Sequence, residues 1–195
     1  MGRSRLLALL LINLPCAARA HSPIEGIGEF YGGMLHPLLV PAHALALLIF
    51  SLLVGQRGVV AMRLAYPSFT VALAAGLLWA GFSLSPAPPV ETALLALAAC
   101  CGLLVALQWP VPRFVFALLG ALLGAIIGAD SAVAELSRQE TFAALLGAWV
   151  GAVVSMILVA GVAELVERPW QRIAVRVLGS WGSASAVLVL ALALR

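Results

Sequence analysis

Three histidines, His21, His36 and His43, are the side chains of this 195-residue sequence best suited to chemistry, and Glu25, Glu29 and Met34 lie among them. Imidazole nitrogens interleaved with carboxylates suit divalent first-row metals such as Ni, Co, Cu or Zn. The stretch Gly32 to His43 runs directly into the apolar segment Ala44 to Val54, so two of the imidazoles stand at the mouth of a membrane helix. Polar side chains in that setting cost free energy unless they pair, ligate or line a wet path.

Composition sets what must position these groups. With 64% hydrophobic residues, 10% charged residues and a mean hydropathy of +1.13, the chain is far more apolar than the roughly 45–50% of a soluble domain. The pattern predicts an all-α integral membrane protein of one domain. Arg3 and Arg5, the apolar run Leu6 to Leu14 and the Ala18-Arg19-Ala20 site read as a cleaved signal peptide over residues 1–20, leaving a membrane domain of 21–195. Six apolar runs follow, at about 35–55, 59–84, 90–109, 113–133, 141–164 and 173–194, each long enough for a spanning helix. The breaks between them are short, which predicts six transmembrane helices in an up-and-down bundle.

The signal places the mature N-terminus outside, and the positive-inside rule then puts Arg57, Arg63, Arg113, Arg168, Arg172 and Arg176 on the cytoplasmic side. The same threading places both mature termini on the periplasmic or extracellular side of a bacterial inner membrane. It leaves the outer face anionic and gives it every histidine. The signal also accounts for the basic balance: Arg3, Arg5 and Arg19 lie in it, and the remainder carries eight Arg against eight Asp plus Glu. The partners expected are therefore the lipid bilayer and a metal ion rather than nucleic acid, with room for a homo-oligomer.

Spacing constrains the metal reading. Seven residues return His36 and His43 to one face of a straight helix but ~10 Å apart along it, too far to share one ion. Pro37 and Pro41 argue that helical order begins around Pro37 and is strained near Pro41; a kink or unwound turn there brings the imidazoles closer, or each serves a successive station of one path. After cleavage at Ala20, His21 offers its α-amine beside its imidazole; otherwise it is a solvated terminal residue. Asp130 ends the apolar run Phe114 to Ala129 on the same outer side and is either a further metal ligand or a carboxylate in the headgroup zone. The structural alternative for the pair is a capping His36 and a His43 bonded to a neighbouring helix.

Other patterns read as packing. Gly120, Gly124 and Gly128 recur every four residues, echoed by Gly147 and Gly151, a spacing that lets membrane helices approach closely. Cys100 and Cys101 are adjacent, cannot form an ordinary disulfide with each other, and read as buried small apolar residues. The sequence holds no Gly-x-Ser-x-Gly elbow, no His-Glu-x-x-His and no phosphate-cradling loop followed by Lys. With all histidines near one end of one helix, bis-histidine haem is also disfavoured. The chain reads as a non-enzyme without an organic cofactor.

The run His36-Pro37-Leu38-Leu39-Val40-Pro41-Ala42-His43 resembles the His-Pro-x-x-Gly-x-Asp-His motif of the HupE/UreJ family, with Val40 in place of Gly and Ala42 in place of Asp. The layout is similar as well: a cleaved signal, a histidine near the mature N-terminus and about six membrane helices. The resemblance implies a diverged member of a family tied to nickel supply for hydrogenase or urease, with metalloenzyme maturation proteins as partners. On that basis the expected function is binding and transport or supply of a nickel- or cobalt-type cation, with His36, His43, His21, Glu25 and Asp130 as candidate metal residues. The alternative is a non-transporting assembly subunit whose histidines are structural.

Overall fold

The computed structural model describes residues 27–82, 90–131 and 136–193, which contain seven helices and, among the described residues, no strand. These are α1 (Glu29–Leu39), α2 (Pro41–Arg57), α3 (Val59–Phe82), α4 (Glu91–Leu107), α5 (Phe114–Ala129), α6 (Arg138–Glu164) and α7 (Pro169–Ala193). The expected signal peptide, together with His21 and Glu25, lies outside the described residues.

The first expected span is two helices. α1 and α2 meet at a bend of 71°, and Val40 between them is extended, with φ −81° and ψ 113°. The cause is local: the ring of Pro41 drives the preceding residue out of the helical region, while Pro41 itself is well placed in the first turn of the next helix. The break keeps its hydrogen bonds, since Val40 N donates to His36 O at 3.1 Å and Ala44 N donates to Val40 O at 2.9 Å.

By length and composition α3, α6 and α7 can each cross a membrane, and the broken pair α1–α2 makes a fourth candidate. α4 and α5 are apolar but hold only 17 and 16 residues, about 25 Å of helix against a hydrocarbon core of about 30 Å. The molecule is thus an all-helical membrane protein whose elements differ more in length than six equal apolar runs predict.

The up-and-down expectation also needs correcting in its packing. The most extensive contacts join α3 to α5, α1 to α6 and α4 to α7, none of them sequence neighbours, while α2 packs against both α6 and α4. Glycine placement explains two of these seams. A Cβ on Gly124 would strike the Phe69 carbonyl and one on Gly128 the Leu73 carbonyl, so α5 lies backbone to backbone on α3, with both chains running the same way. On α6, a Cβ on Gly147 would fall on the Phe30 carbonyl and one on Gly151 on the Met34 carbonyl, while Gly33 of α1 lies on the Ala144 carbonyl. Small residues win these contacts because lipid is as apolar as any side chain and close backbone approach is what remains to gain.

The core lies around α2, where Ala46, Leu47, Ile49, Phe50, Leu53 and Val54 are all buried. Of the adjacent cysteines, Cys101 is buried but Cys100 is exposed; neighbouring helical residues point about 100° apart, so one faces the core and the other faces outward.

Candidate metal site

Each of the three site residues that can be located is held by a different local device. His36 sits one turn before the end of α1, and α1 is pinned to α6 through Gly33, Gly147 and Gly151. His43 lies in the first turn of α2, just beyond the Pro41 break. Asp130 caps the C-terminus of α5, where its N–H donates to Ile126 O at 3.0 Å and the Ser131 hydroxyl donates to Ile127 O at 2.7 Å. That end is carried by the glycine seam with α3, so the stripe that reads as packing also aims the carboxylate.

The bend does what a straight helix cannot. The His36 and His43 rings lie with centroids 5.6 Å apart and planes inclined at 75°. His43 is fully buried, and its Nε2 lies 2.9 Å from Asp130 Oδ2, whose side chain is 30% exposed. An ionised carboxylate only accepts, so its partner His43 Nε2 is the donor, and in the neutral tautomer with the proton there the second nitrogen carries the lone pair.

That second nitrogen is unpaired. His43 Nδ1 and His36 Nε2 are both buried without a hydrogen-bond partner among the described residues. Buried polar atoms are nearly always satisfied, and leaving one bare costs on the order of 1–3 kcal/mol. Two such nitrogens on rings in edge contact are therefore the strongest chemical feature of the molecule.

The arrangement fits a metal cation in part. A histidine that ligates with one nitrogen usually donates from the other to a carboxylate, which fixes tautomer and orientation. His43 has that partner in Asp130. With metal–nitrogen bonds of about 2 Å, two imidazoles on one tetrahedral ion have ring centres roughly 5–6 Å apart, a range that includes the observed 5.6 Å. No group of three His, Cys, Asp or Glu side chains close enough to hold an ion occurs among the described residues. Among the described residues the arrangement is two imidazoles in edge contact, one of them bonded to a carboxylate.

Of the residues singled out by sequence, His36, His43 and Asp130 come together, while His21 and Glu25 lie outside the described residues. His36 does not cap α2, since it sits inside α1. His43 does bond to a neighbouring element, as the structural alternative requires, but only through Nε2. Gly147 and Gly151 carry the site helix and were legible only as a packing pattern; that their partner is α1, which meets them with its own Gly33, follows from the fold.

At the opposite end of α2 the polar groups do other work. Arg57 donates to Leu104 O at 3.3 Å and Trp109 O at 2.7 Å, Gln56 to Val105 O at 3.2 Å and Arg176 to Ala106 O at 2.8 Å. Side chains of α2 and α7 thereby satisfy the α4 carbonyls of Leu104, Val105 and Ala106, which have no partner inside their own helix, and that of Trp109 just beyond its end.

Comparison with known proteins agrees with the helical layout and the His-Pro segment. Neither the curated proteins nor the solved structures contain a match to the chain. A family model described as HupE / UreJ protein matches residues 8–191, nearly the whole length and all of the site, and the chain belongs to that family.

Proposed function

We propose that the protein binds a divalent transition-metal cation, of nickel or cobalt type, as cargo at the α1–α2 break, and passes it through or holds it at the membrane. Members of the HupE / UreJ family are membrane metal-supply proteins rather than enzymes. The observation that carries the reading here is the pair of buried, unpartnered nitrogens His36 Nε2 and His43 Nδ1. In this reading they are the protein's first two ligands. Asp130 acts one step behind, holding His43 by its Nε2–H, and stands in for the carboxylate that the motif would carry at Ala42.

Two protein ligands leave positions open on the ion. Open positions suit a cargo that must be taken up and released, whereas closed four-ligand sites suit a structural metal. His21, with its α-amine after cleavage at Ala20, and Glu25 are the further donors we assign to capture. We place the site on the outer face of a bacterial inner membrane, with Arg57, Arg113, Arg168, Arg172 and Arg176 toward the cytoplasm and both mature termini outside. Metalloenzyme maturation proteins are the partners this reading implies.

The test is titration of the purified protein in detergent with Ni, Co, Cu and Zn, beside the His36→Ala, His43→Ala double variant. Saturable, near-stoichiometric binding that the double variant loses supports the reading and identifies the metal. Folded wild-type protein that binds none of the four overturns it and favours the assembly-subunit alternative.

A further inference from the structure

A second site lies at the other end of α2 and is independent of the metal reading. A cavity of about 290 Å³ opens there among the ends of α2, α4, α6 and α7, lined by Gln56, Arg57, Gln108, Glu164 and Arg172 beside the apolar Val166 and Val175. Its lining carries two guanidiniums and one carboxylate, yet Glu164 forms no ion pair with either arginine. The Arg172 side chain makes no hydrogen bond among the described residues, and Gln56 Oε1 and Arg57 Nε are buried without partners among them. Opposite charges that line one space without closing on each other leave room for an occupant bearing both signs.

The surroundings indicate what kind of molecule that is. Trp109 and Trp170, each 62% exposed, stand beside the cavity residues Gln108 and Arg172 in the chain, and exposed tryptophans mark the depth of lipid headgroups. Leu107, Leu165 and Ile173, next to Gln108, Glu164 and Arg172, are exposed large apolar side chains. A polar cavity opening beside an apolar surface fits an amphipathic occupant better than a free anion. Basic recesses between membrane helices on the arginine-rich side are where phosphate headgroups bind, and a guanidinium matches phosphate oxygens through paired N–H donors. A headgroup that also carries an ammonium satisfies Glu164.

We propose that this cavity is a specific site for a phosphoethanolamine headgroup, its phosphate held by the Arg172 guanidinium in the field of the Arg57 charge and its ammonium by Glu164. Bound there, a phosphatidylethanolamine molecule bridges the C-terminus of α2 to the N-terminal part of α7.

The experiment is native mass spectrometry of the delipidated full chain in neutral detergent, titrated with phosphatidylethanolamine, phosphatidylcholine and phosphatidylglycerol of matched acyl chains. One phosphatidylethanolamine per chain is expected to bind at least tenfold more tightly than either other lipid. Arg172→Gln should weaken it at least tenfold and Arg172→Lys should recover part of the loss. The Arg172 side chain is exposed and bonds to nothing among the described residues, so neither variant threatens the fold. Glu164→Gln should abolish the preference over phosphatidylglycerol while leaving some lipid binding. Equal binding of the three lipids, or equal binding by wild type and Arg172→Gln, overturns the proposal. So does displacement of bound lipid by millimolar phosphoethanolamine, which would make the occupant a soluble phosphate ester.

Discussion

The two ends of α2 carry comparable amounts of polar chemistry and each leaves two buried polar atoms without a partner among the described residues, but only at the His43 end are both of them imidazole nitrogens. At the Arg57 end, Gln56 and Arg57 reach across to α4 and, with Arg176 of α7, satisfy the carbonyls of Leu104, Val105, Ala106 and Trp109. At the His43 end, one ring nitrogen is spent on Asp130 and two others are left bare in a buried setting. The first end closes a helix that is short for the bilayer. The second keeps lone pairs available at a cost in stability, which is the pattern expected where a cation is to be bound.

The largest effect that would sharpen this contrast is on cation binding itself. The His36→Ala, His43→Ala double variant is expected to lose at least about 100-fold in affinity, because both imidazole nitrogens go with it. Equal cation affinity in the double variant and the wild type would make the bare nitrogens an incidental feature of packing.

Next in size is the support beneath His36. Gly147→Val places a branched side chain on the Phe30 carbonyl, and overpacking against backbone should cost on the order of 3 kcal/mol while pushing α1 away from α6. Gly161 of the same helix meets nothing within 4 Å, so Gly161→Val is the matched control. Thermal unfolding in detergent should separate the two variants, and only Gly147→Val should also weaken cation binding. Similar behaviour of both would show that α1 is not held by the glycine seam.

Asp130 comes third. Removing the carboxylate behind a ligating histidine typically costs 10–100-fold in metal affinity, and Asp130→Ala should fall near the lower figure because Asp130 is partly exposed. Asp130→Asn keeps an acceptor for the His43 Nε2–H and should retain most of the affinity. If the two variants lose affinity equally and by more than 100-fold, Asp130 is a direct ligand and not a support for His43.

How much of this was legible in the sequence depends on the reach of each signal. Local signals carried well: the Pro41 ring predicts strain just before it, and Val40 is extended at that point. The four-residue glycine repeats predict close helix contact, and they make it. Partner choice did not carry, because a glycine stripe states that a backbone will approach without saying which one. α5 therefore lies on α3, and α6 on α1, where short loops suggest neighbouring pairs. The break at Val40 is a local signal, but neither the 71° angle nor the shortening of a ~10 Å separation along a straight helix to a ring contact of 5.6 Å can be read from it. The arginine end was legible as charge alone: the count shows an excess at one face, but not that Arg57 and Arg176 are turned onto α4 carbonyls.

The smallest effect tests whether the two ends are energetically separate. Gln56→Leu removes the donor to Val105 O, a 3.2 Å bond at a part-buried position, and should cost about 1 kcal/mol, the usual net worth of such a hydrogen bond. α2 continues from Gln56 back to His43 through a fully packed stretch in which Leu47, Phe50, Leu53 and Val54 are buried. A packed core is not continuously deformable, so the loss of one bond moves the far end only if α2 has a second stable arrangement to move to. Cation affinity at the histidine end should therefore stay within about twofold of wild type, inside the roughly 0.5 kcal/mol within which distant sites behave additively. A tenfold change in affinity from this one substitution would mean that α2 moves as a unit between two arrangements, and that the arginine end is coupled to the histidine end through it.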